Sequence, residues 1–451
     1  MMGKYFGTDG IRGVYGDACM NNSFAFRVGF ALSRYLCEIY PEGKIRVAIG
    51  QDTRASGAAL VDALTHGLQK NGVTVYKLGV VPTPAVALSV VEHKFNLGIA
   101  VTASHNPAAD NGIKLFSELG FKLSESQETE IETLIDAEQV VLDEQQLLTD
   151  SFSLDGAKEY ISYMGSLFNK DCLEGLKIVL DLANGATYVT TPAVFKKYGA
   201  ETILIGDRPN GTNINDKVGS EYPLKLCEAV RSHHADIGIA HDGDGDRLVV
   251  CDENGTIVDG DILLAMLGAN ALQNNTLKST TLVATVQSNL ALDEAITLAG
   301  GSVVRTEVGD RNVVTSMRKI GANIGGESSG HIIFLDSATT GDGLLAALHL
   351  INLLLGVDGK LSKLQAKYRL FPQETRSLRV AQKLPLGDLR QIQQAISTVE
   401  TELGTDGRVL IRYSGTESKI RLLVEGKDSE VISSAIIKLE KSVREDLNVI
   451  M

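Results

Sequence analysis

Short apolar runs alternate with segments of helical periodicity along most of the chain. The runs fall into three successive sets of three, and each set alternates with helical stretches in the manner of βαβ units. The nine strands that this pattern predicts are 45–50, 73–78, 97–101, 176–182, 202–205, 237–240, 281–286, 302–306 and 332–335. The pattern therefore predicts three consecutive α/β domains.

The pattern changes after Phe371 and Pro372. From there it predicts a strand, a long helix from about Leu386, two strands around residues 412–416 and a closing helix from about Ser429. The predicted fold class is α/β, with three α/β domains on mixed sheets and a smaller C-terminal α+β domain around a central cleft. The predicted domain boundaries are 1–155, 156–255, 256–368 and 369–451.

Composition narrows the class of protein. A chain of 451 residues that is 44% hydrophobic exceeds what one core normally supports. The net charge of −13, without a basic tract, argues against nucleic acid and anionic membranes as partners. The longest apolar run, 344–355, is too short to span a bilayer, and the N-terminus lacks a signal-peptide pattern. The acidic stretch 124–150 is predicted to be a solvated helix and linker, and its sequence supports no functional assignment.

Cysteine usage indicates the compartment. The five cysteines are odd in number and form neither CxxC nor zinc spacing, so we expect reduced thiols in the cytoplasm. They are Cys19, Cys37, Cys172, Cys227 and Cys251.

Ser104 lies in VTASHNPAADNGIK (101–114), directly after the predicted strand 97–101. Pro107 keeps the residue before it out of helical geometry, so Ser104 is expected on a turn at the carboxyl end of a strand. Open α/β sheets form their ligand crevices at such ends. Taken alone, Ser104 also fits an ordinary turn or helix-capping serine, so other motifs must decide.

A carboxylate loop, DGDGDR, follows the predicted strand 237–240. Its glycines let the backbone curl, so that Asp242, Asp244 and Asp246 converge as hard oxygen ligands of the kind that Mg²⁺ prefers. A calcium loop is disfavoured because Arg247 stands where that loop needs glycine and the flanking segments read as strands. A solvated acidic turn remains the second alternative.

Two further loops combine donors and acceptors suited to phosphate and sugar. The sequence RYSGT (412–416) offers a guanidinium, two hydroxyls and exposed amides, and Arg421 returns on the next strand. A plain β-hairpin with a Ser-Gly turn explains the same spacing equally well. In GGESSGH (325–331), Glu327, Ser329 and His331 suit sugar hydroxyls, although His331 alone also fits a structural histidine.

These loops occur together with FGTDGIRG (6–13) and DTRASG (52–57), in one order from Lys4 to about Glu425. With these motifs the chain resembles the α-D-phosphohexomutase superfamily, and within it the bacterial phosphoglucosamine mutases. The resemblance implies that Ser104 is a phosphoserine that donates and retrieves a phosphoryl group. It also implies that Asp242, Asp244 and Asp246 hold Mg²⁺ against the phosphate on Ser104.

The resemblance implies roles for other side chains. Arg12, Lys114 and His331 are expected to be catalytic, and Lys114 is our candidate general acid or base, with a pKa lowered by burial near cations. The residues expected to bind the substrate are Arg247, Asp310, Arg311, Glu327, Ser329, Arg412, Ser414, Gly415, Thr416 and Arg421.

The implied reaction interconverts glucosamine 6-phosphate and glucosamine 1-phosphate through a bisphosphate intermediate, and supplies amino-sugar nucleotides and cell-wall precursors. The expected cofactors are Mg²⁺ and a sugar bisphosphate or other phosphoryl donor that activates Ser104. The expected partner is a small phosphosugar in the cytoplasm, with no nucleic acid and no membrane insertion. The sequence is compatible with a homodimer.

Four positions depart from the usual pattern of these mutases. Tyr413 and Ser418 stand where proline is usual, so we expect a less rigid loop that binds phosphate more loosely. Ser328 and Asn312 replace Gln and Tyr in loops that we expect near the sugar.

Three alternatives remain. A phosphoglucomutase or phosphomannomutase would use the same residues with other sugar contacts. A noncatalytic phosphosugar-binding regulator would be expected to lose Ser104 or a metal-loop aspartate, and all are present. A serine hydrolase is disfavoured because no G-x-S-x-G elbow surrounds Ser104 and the adjacent His105 is expected not to face its hydroxyl easily.

Overall fold

The computed structural model describes residues 3–137, 151–357, 359–414 and 417–450. Its strands form four separate sheets, of seven, five, four and four strands. The first three sheets mix parallel and antiparallel neighbours and alternate with helices, whereas the fourth is entirely antiparallel. This arrangement confirms the predicted fold class.

The first sheet has the order β1-β2-β6-β5-β3-β4-β7. Strands β3, β4 and β5 match the predicted apolar strands, whereas the antiparallel strands β1, β2 and β6 and the short parallel strand β7 were not predicted. The elements are β1 Phe6–Gly7, β2 Gly10–Val14, α1 Asn22–Ile39, β3 Arg46–Gln51, α2 Gly57–Gln69, β4 Thr74–Val80, α3 Thr83–His93, β5 Leu97–Val101, β6 Asp110–Ser117, α4 Glu125–Ala137 and β7 Phe152–Ser153.

The second and third sheets each place a short antiparallel extension after a parallel core, with the orders β12-β11-β10-β8-β9 and β14-β13-β15-β16. The elements of the second unit are α5 Gly156–Met164, β8 Lys177–Asp181, α6 Thr190–Lys197, β9 Glu201–Ile205, α7 Leu224–His233, β10 Ile237–Ala240, β11 Val249–Cys251 and β12 Ile257–Val258. Those of the third are α8 Gly260–Gln273, β13 Thr281–Thr285, α9 Leu290–Leu298, β14 Ser302–Thr306, α10 Asp310–Ile320, β15 Ile324–Gly326, β16 Ile332–Phe334, α11 Gly343–Gly356 and α12 Leu361–Gln365.

The fourth sheet has the order β18-β19-β17-β20 and is covered by two helices. The helix expected from Leu386 is a 3₁₀ turn at Leu386–Asp388 followed by the α-helix, and the closing helix begins at Ser429 as predicted. The elements are β17 Gln373–Val380, α13 Arg390–Leu403, β18 Gly407–Tyr413, β19 Lys419–Gly426, α14 Ser429–Asp446 and β20 Val449–Ile450.

The hydrophobic cores show which units are packed together. One continuous apolar cluster joins residues of the first three sheets and their helices, whereas the fourth sheet packs its helices over a cluster of its own. The first three units therefore share one apolar core, whereas the C-terminal unit has a core of its own and contacts the third unit through the Arg408 guanidinium, which donates to the Ser288 carbonyl at 2.7 Å. Within the described part of the chain, no helix is both long and apolar enough to cross a bilayer.

The prediction that the acidic stretch 124–150 forms only a solvated helix and linker is wrong for the inner face of α4. Glu128 and Glu132 are buried there together with Ile131 and Ile135. Glu132 accepts hydrogen bonds from the amides of Tyr5 and Phe6, at 2.6 and 2.7 Å. Residues 138–150 lie outside the described ranges.

Candidate active site

Ser104 lies on the turn between β5 and β6, three residues after β5 ends, as predicted. Its φ of +52° places it in the left-handed region, which costs a non-glycine residue conformational energy. The amide of Ser104 donates to the hydroxyl of Thr102 at 3.0 Å, which helps to hold the strained turn. The residue is 1% exposed, so its hydroxyl points into the protein instead of bulk water.

Arg54 holds the serine turn from beneath. Its guanidinium is fully buried, pairs with Asp52 at 2.9 Å, and donates to the carbonyl oxygens of four residues of the turn. Those residues are Ser104 at 3.0 Å, Asn106 at 2.9 Å, Asp110 at 2.9 Å, and Pro107. One delocalised cation with its donors in a plane thus fixes the backbone on which the serine sits.

The second unit approaches the same turn from the other side. The side-chain amide of Asn215 donates to the carbonyl of Ser104 at 2.8 Å. Gly243 approaches so closely that a Cβ there would lie 2.5 Å from that carbonyl oxygen, which only glycine avoids. These contacts therefore hold the carboxylate loop 242–247 against the serine turn.

Asp242, Asp244 and Asp246 converge as predicted, with ligand oxygens all within 4.8 Å of one another. The Ser104 hydroxyl donates to Asp242 Oδ2 at 2.5 Å. Burial, together with the carboxylates of Asp246 and Asp244, holds the pKa of Asp242 well above its ordinary value. Asp244 Oδ1 is buried without a hydrogen-bond partner and Asp246 Oδ1 meets only His331 Nδ1, at 3.7 Å, so the triad has carboxylate oxygens that could bind a divalent cation.

Lys114 stands beside the triad. Its Nζ lies 2.8 Å from Asp244, 3.2 Å from Asp246 and 3.0 Å from Asp9. Burial lowers the pKa of Lys114, but these carboxylates outweigh burial and hold that pKa well above its ordinary value. The prediction that burial near cations lowers the Lys114 pKa is therefore wrong, because carboxylates and not cations form its immediate surroundings.

A cleft of about 450 Å³ opens above the triad. It is lined by residues of the first three units, and six of the predicted functional residues line it, namely Arg12, Asp246, Arg247, Asp310, Glu327 and His331. His331 is buried between two carboxylates, 3.7 Å from Asp246 and 3.4 Å from Asp310. The cleft thus combines cations for a phosphate with carboxylates for hydroxyls or a metal.

Comparison with known proteins agrees with this geometry. Models of the phosphoglucomutase/phosphomannomutase family match nearly the whole chain: alpha/beta/alpha domains I, II and III match residues 3–141, 158–255 and 259–371, and the C-terminal domain matches 376–435. The chain belongs to this family.

Curated relatives of the chain include phosphoglucosamine mutases. The chain is 45% identical to a phosphoglucosamine mutase of Pelobacter propionicus over 450 residues, which cover 99% of each chain. It is 42% identical to a phosphoglucosamine mutase of an Anaeromyxobacter species, covering 98% of this chain and 96% of the other.

Solved structures show the same fold. A phosphoglucomutase/phosphomannomutase family protein from Burkholderia thailandensis superposes with a TM-score of 0.81, at 23% identity and with 100% of both chains covered. An N-acetylphosphoglucosamine mutase from Aspergillus fumigatus superposes with a TM-score of 0.66 at 18% identity, covering 99% of this chain and 96% of the other.

Other predicted site residues lie away from the cleft wall. Arg311 points to the first unit and pairs with Glu128, and Ser329 is exposed on its loop. Arg412 and Arg421 lie opposite each other on β18 and β19, next to the buried Ser414. Gly415 and Thr416 lie outside the described residues.

The departures from the phosphohexomutase pattern have visible consequences. The hydroxyl of Tyr413 accepts a hydrogen bond from the amide of Leu384 at 3.2 Å, and the carbonyl of Ser418 accepts one from the amide of Val380 at 2.9 Å. Only the Tyr413 replacement therefore adds a side-chain tether, because a proline at position 418 would keep the same carbonyl acceptor. Asn312 lines a neighbouring cavity instead of the main cleft, and Ser328 is exposed.

Sequence reasoning missed several residues. Asp9 and Lys122 line the cleft and pair with each other, and Lys122 also lies 2.6 Å from Asp310. Asp9 and Arg54 belong to motifs that were noticed, FGTDGIRG and DTRASG, so a search for charged residues within those motifs could have found them. Nothing in the local sequence indicates Lys122 or Asn215.

The prediction about His105 is also wrong. Its Nδ1 lies 3.2 Å from the Ser104 hydroxyl oxygen, because the left-handed backbone of Ser104 turns the next side chain back over it. The hydrolase alternative still fails, since the Ser104 hydroxyl donates to Asp242 and the chain belongs to the phosphohexomutases.

Asp244→Asn is expected to raise the Mg²⁺ concentration needed for half-maximal activity by about tenfold or more. An amide keeps the shape of the loop but removes one charge of the triad, and excess Mg²⁺ should restore part of the rate. A magnesium titration of steady-state activity measures this. Asp216→Asn, at an exposed position of the same unit, is the charge-matched control. If the magnesium dependence of Asp244→Asn were unchanged, Asp244 would not be a metal ligand and the loop would have a solvated or structural role.

Proposed function

We propose that the protein is a phosphoglucosamine mutase that interconverts glucosamine 6-phosphate and glucosamine 1-phosphate. One observation carries the proposal: the Ser104 hydroxyl lies 2.5 Å from the carboxylate triad beneath a cleft lined by phosphohexomutase motifs. Relatives named phosphoglucosamine mutase, at 42–45% identity over nearly the full chain, support the choice of sugar. The activity supplies amino-sugar nucleotides and cell-wall precursors.

The reaction begins with Ser104 phosphorylated. The free hydroxyl of the phosphosugar attacks phosphorus, so that its oxygen–phosphorus bond forms while the bond from phosphorus to Ser104 Oγ breaks. The attacking hydroxyl loses its proton, and Oγ gains one. The product is a sugar bisphosphate, which turns over in the cleft and returns its other phosphoryl group to Ser104 by the reverse chemistry.

Charge balance is the main task of the site. Asp242, Asp244 and Asp246 would hold Mg²⁺, whose charge would stabilise the transferred phosphoryl group. Lys114, held as a cation among carboxylates, keeps a fixed positive charge at the same place. We therefore assign Lys114 to electrostatic stabilisation and not to the role of base.

The substrate is held from two sides. Arg12 and Arg247 face the cleft and suit a phosphate, while Glu327 suits sugar hydroxyls or the amine. We assign Arg412, Ser414 and Arg421 to the phosphate that is not transferred. Since the described residues of the C-terminal unit do not line the cleft, that unit must approach it before one substrate can touch both sides.

The proposal includes a cytoplasmic enzyme that a sugar bisphosphate, or another phosphoryl donor, activates at Ser104. It also includes the predicted division at 1–155, 156–255, 256–368 and 369–451, which the separate core of the C-terminal unit supports.

Steady-state assays with glucosamine 6-phosphate, glucose 6-phosphate and mannose 6-phosphate, each with its bisphosphate and Mg²⁺, test the choice of sugar. We expect kcat/KM to favour the glucosamine phosphate by about tenfold or more, because a site built to bind one polar substituent discriminates against its replacement. Higher efficiency on glucose or mannose phosphate would make the protein a phosphoglucomutase or phosphomannomutase. No activity on any of the three, with Ser104 shown to be phosphorylated, would indicate a binding protein.

A further inference from the structure

We propose that Glu128, on helix α4 of the first unit, is a positioning residue for the sugar side of the cleft. It acts through Arg311, whose guanidinium it binds, and so sets the position of the loop 308–312 in the third unit. This inference rests on the proposed function. It reassigns Arg311, expected from the resemblance to bind substrate directly, to the support of the loop.

The loop is coupled to a cleft carboxylate. Gly309 precedes helix α10, and its amide donates to Glu327 Oε1 at 3.0 Å. Glu327 lines the cleft and stands in the sugar motif. A displacement of Arg311, two residues after Gly309, would therefore be transmitted to the orientation of the Glu327 carboxylate.

Glu128 and Arg311 form a partly buried ion pair. Their side chains are 9% and 18% exposed, so the pair is shielded from the solvent screening that makes surface ion pairs weak. If the carboxylate were removed, the guanidinium would be left without its partner at this site. It could then turn into the cavity of about 270 Å³ that it lines together with Glu128, next to the main cleft.

Neighbouring contacts hold the same two units together. Lys122 lies 2.6 Å from Asp310, the Thr339 hydroxyl donates to the Gly120 carbonyl at 2.6 Å, and the Arg318 guanidinium lies 4.2 Å from the centre of the Phe121 ring. The segment 120–128 therefore docks along α10 at several points. Loss of Glu128 alone should shift the loop without separating the units.

The same face of α4 also supports the opposite wall of the cleft. One turn beyond Glu128, Glu132 accepts the amides of Tyr5 and Phe6. The chain then continues through Gly7 and Thr8 into the cleft lining. Helix α4 thus braces two walls of the site from outside it, through two carboxylates spaced four residues apart.

The test compares three variants: Glu128→Gln, Arg311→Gln and an exchanged pair, which is the double variant that carries both Glu128→Arg and Arg311→Glu. Glu130→Gln, at an exposed position of α4, is the control. For Glu128→Gln we expect KM for glucosamine 6-phosphate to rise about tenfold, with kcat within about twofold of wild type, because the displaced loop weakens ground and transition states equally. The control should behave as wild type. The exchanged pair should recover most of the lost KM, since the ion pair is restored in reverse.

Recovery in the exchanged pair separates the two roles of Arg311. A residue that binds substrate directly cannot be replaced by Glu, so an exchanged pair as impaired as Arg311→Gln would overturn the proposal. So would an unchanged KM in Glu128→Gln. If Glu128→Gln does not fold, Glu128→Asp and the exchanged pair carry the same test.

Amide hydrogen exchange makes the test independent of the reaction. Residues 308–314 should exchange faster in Glu128→Gln than in wild type, and return towards wild-type protection in the exchanged pair. Equal exchange in all variants would refute the positioning role. A wild-type protein without activity on glucosamine phosphates would instead refute the proposed function, while the exchange result would still decide the role of Glu128.

Discussion

Ser104→Ala is expected to fold normally and to lose mutase turnover by about three orders of magnitude or more, because the phosphoryl carrier is gone. Among the described hydroxyls near the triad, that of Thr102 is engaged with Asp52 at 2.6 Å and that of Thr83 with Asp244 at 2.6 Å. Neither lies where the Ser104 hydroxyl meets Asp242. The purified variant should be assayed on glucosamine 6-phosphate with added bisphosphate and Mg²⁺.

Intact mass provides the matching control. Wild-type protein incubated with the sugar bisphosphate should gain one phosphoryl group that phosphatase removes, and Ser104→Ala should gain none. If the variant turned over substrate at nearly the wild-type rate, Ser104 could not be the covalent phosphoryl carrier. A phosphoryl group on the variant would place the carrier on a different residue.

Arg54→Met is expected to have the second largest effect, because it removes the cation that holds the serine turn. It leaves the buried Asp52 without its cationic partner and deprives four carbonyl oxygens of a donor. Breaking a buried pair in this way costs about 3–5 kcal/mol of unfolding free energy. A displaced nucleophile should lower kcat by about a hundredfold, even in protein that remains folded.

Arg54→Lys separates stability from positioning. Lysine keeps the charge next to Asp52 but has no planar fork with which to reach four carbonyls, so the loss of stability should be smaller than in Arg54→Met while kcat stays low. Urea unfolding measures the loss of stability, and kcat measured at urea concentrations below the first unfolding transition measures the loss of positioning. Wild-type kcat in folded Arg54→Lys would show that the turn keeps its shape without the fork.

Much of the fold could be predicted from the sequence because its central parallel strands are buried on both faces and appear as continuous apolar runs. The buried strands Leu97–Val101 and Ile237–Ala240 begin and end where the pattern predicts, and so does the partly exposed edge strand Ser302–Thr306. The antiparallel strands β2 and β6 were missed because they lie in glycine-containing and polar segments without a continuous apolar run.

The candidate site also has a part that could be predicted from local sequence and a part that could not. Short sequence motifs identify the serine, the three aspartates and the motif arginines, because their chemistry requires a fixed local spacing. The pKa direction of Lys114 and the orientation of His105 were predicted wrongly, since each depends on groups or backbone angles that spacing does not report. Lys114 meets Asp9, Asp244 and Asp246, which are far from it in the chain.

The sequence by itself determined which chemical groups are present: a serine at a strand end, a carboxylate triad, the GGESSGH loop (325–331) and the RYSGT loop (412–416), distributed over a predicted four-part chain. Only the tertiary structure decided how these groups are held, through Arg54 beneath the turn, Asn215 from the second unit, and Glu128 against Arg311. The physical reason is that a buried charge or carbonyl is satisfied by whichever partner the packing brings within about 3 Å. That partner can lie anywhere along the chain.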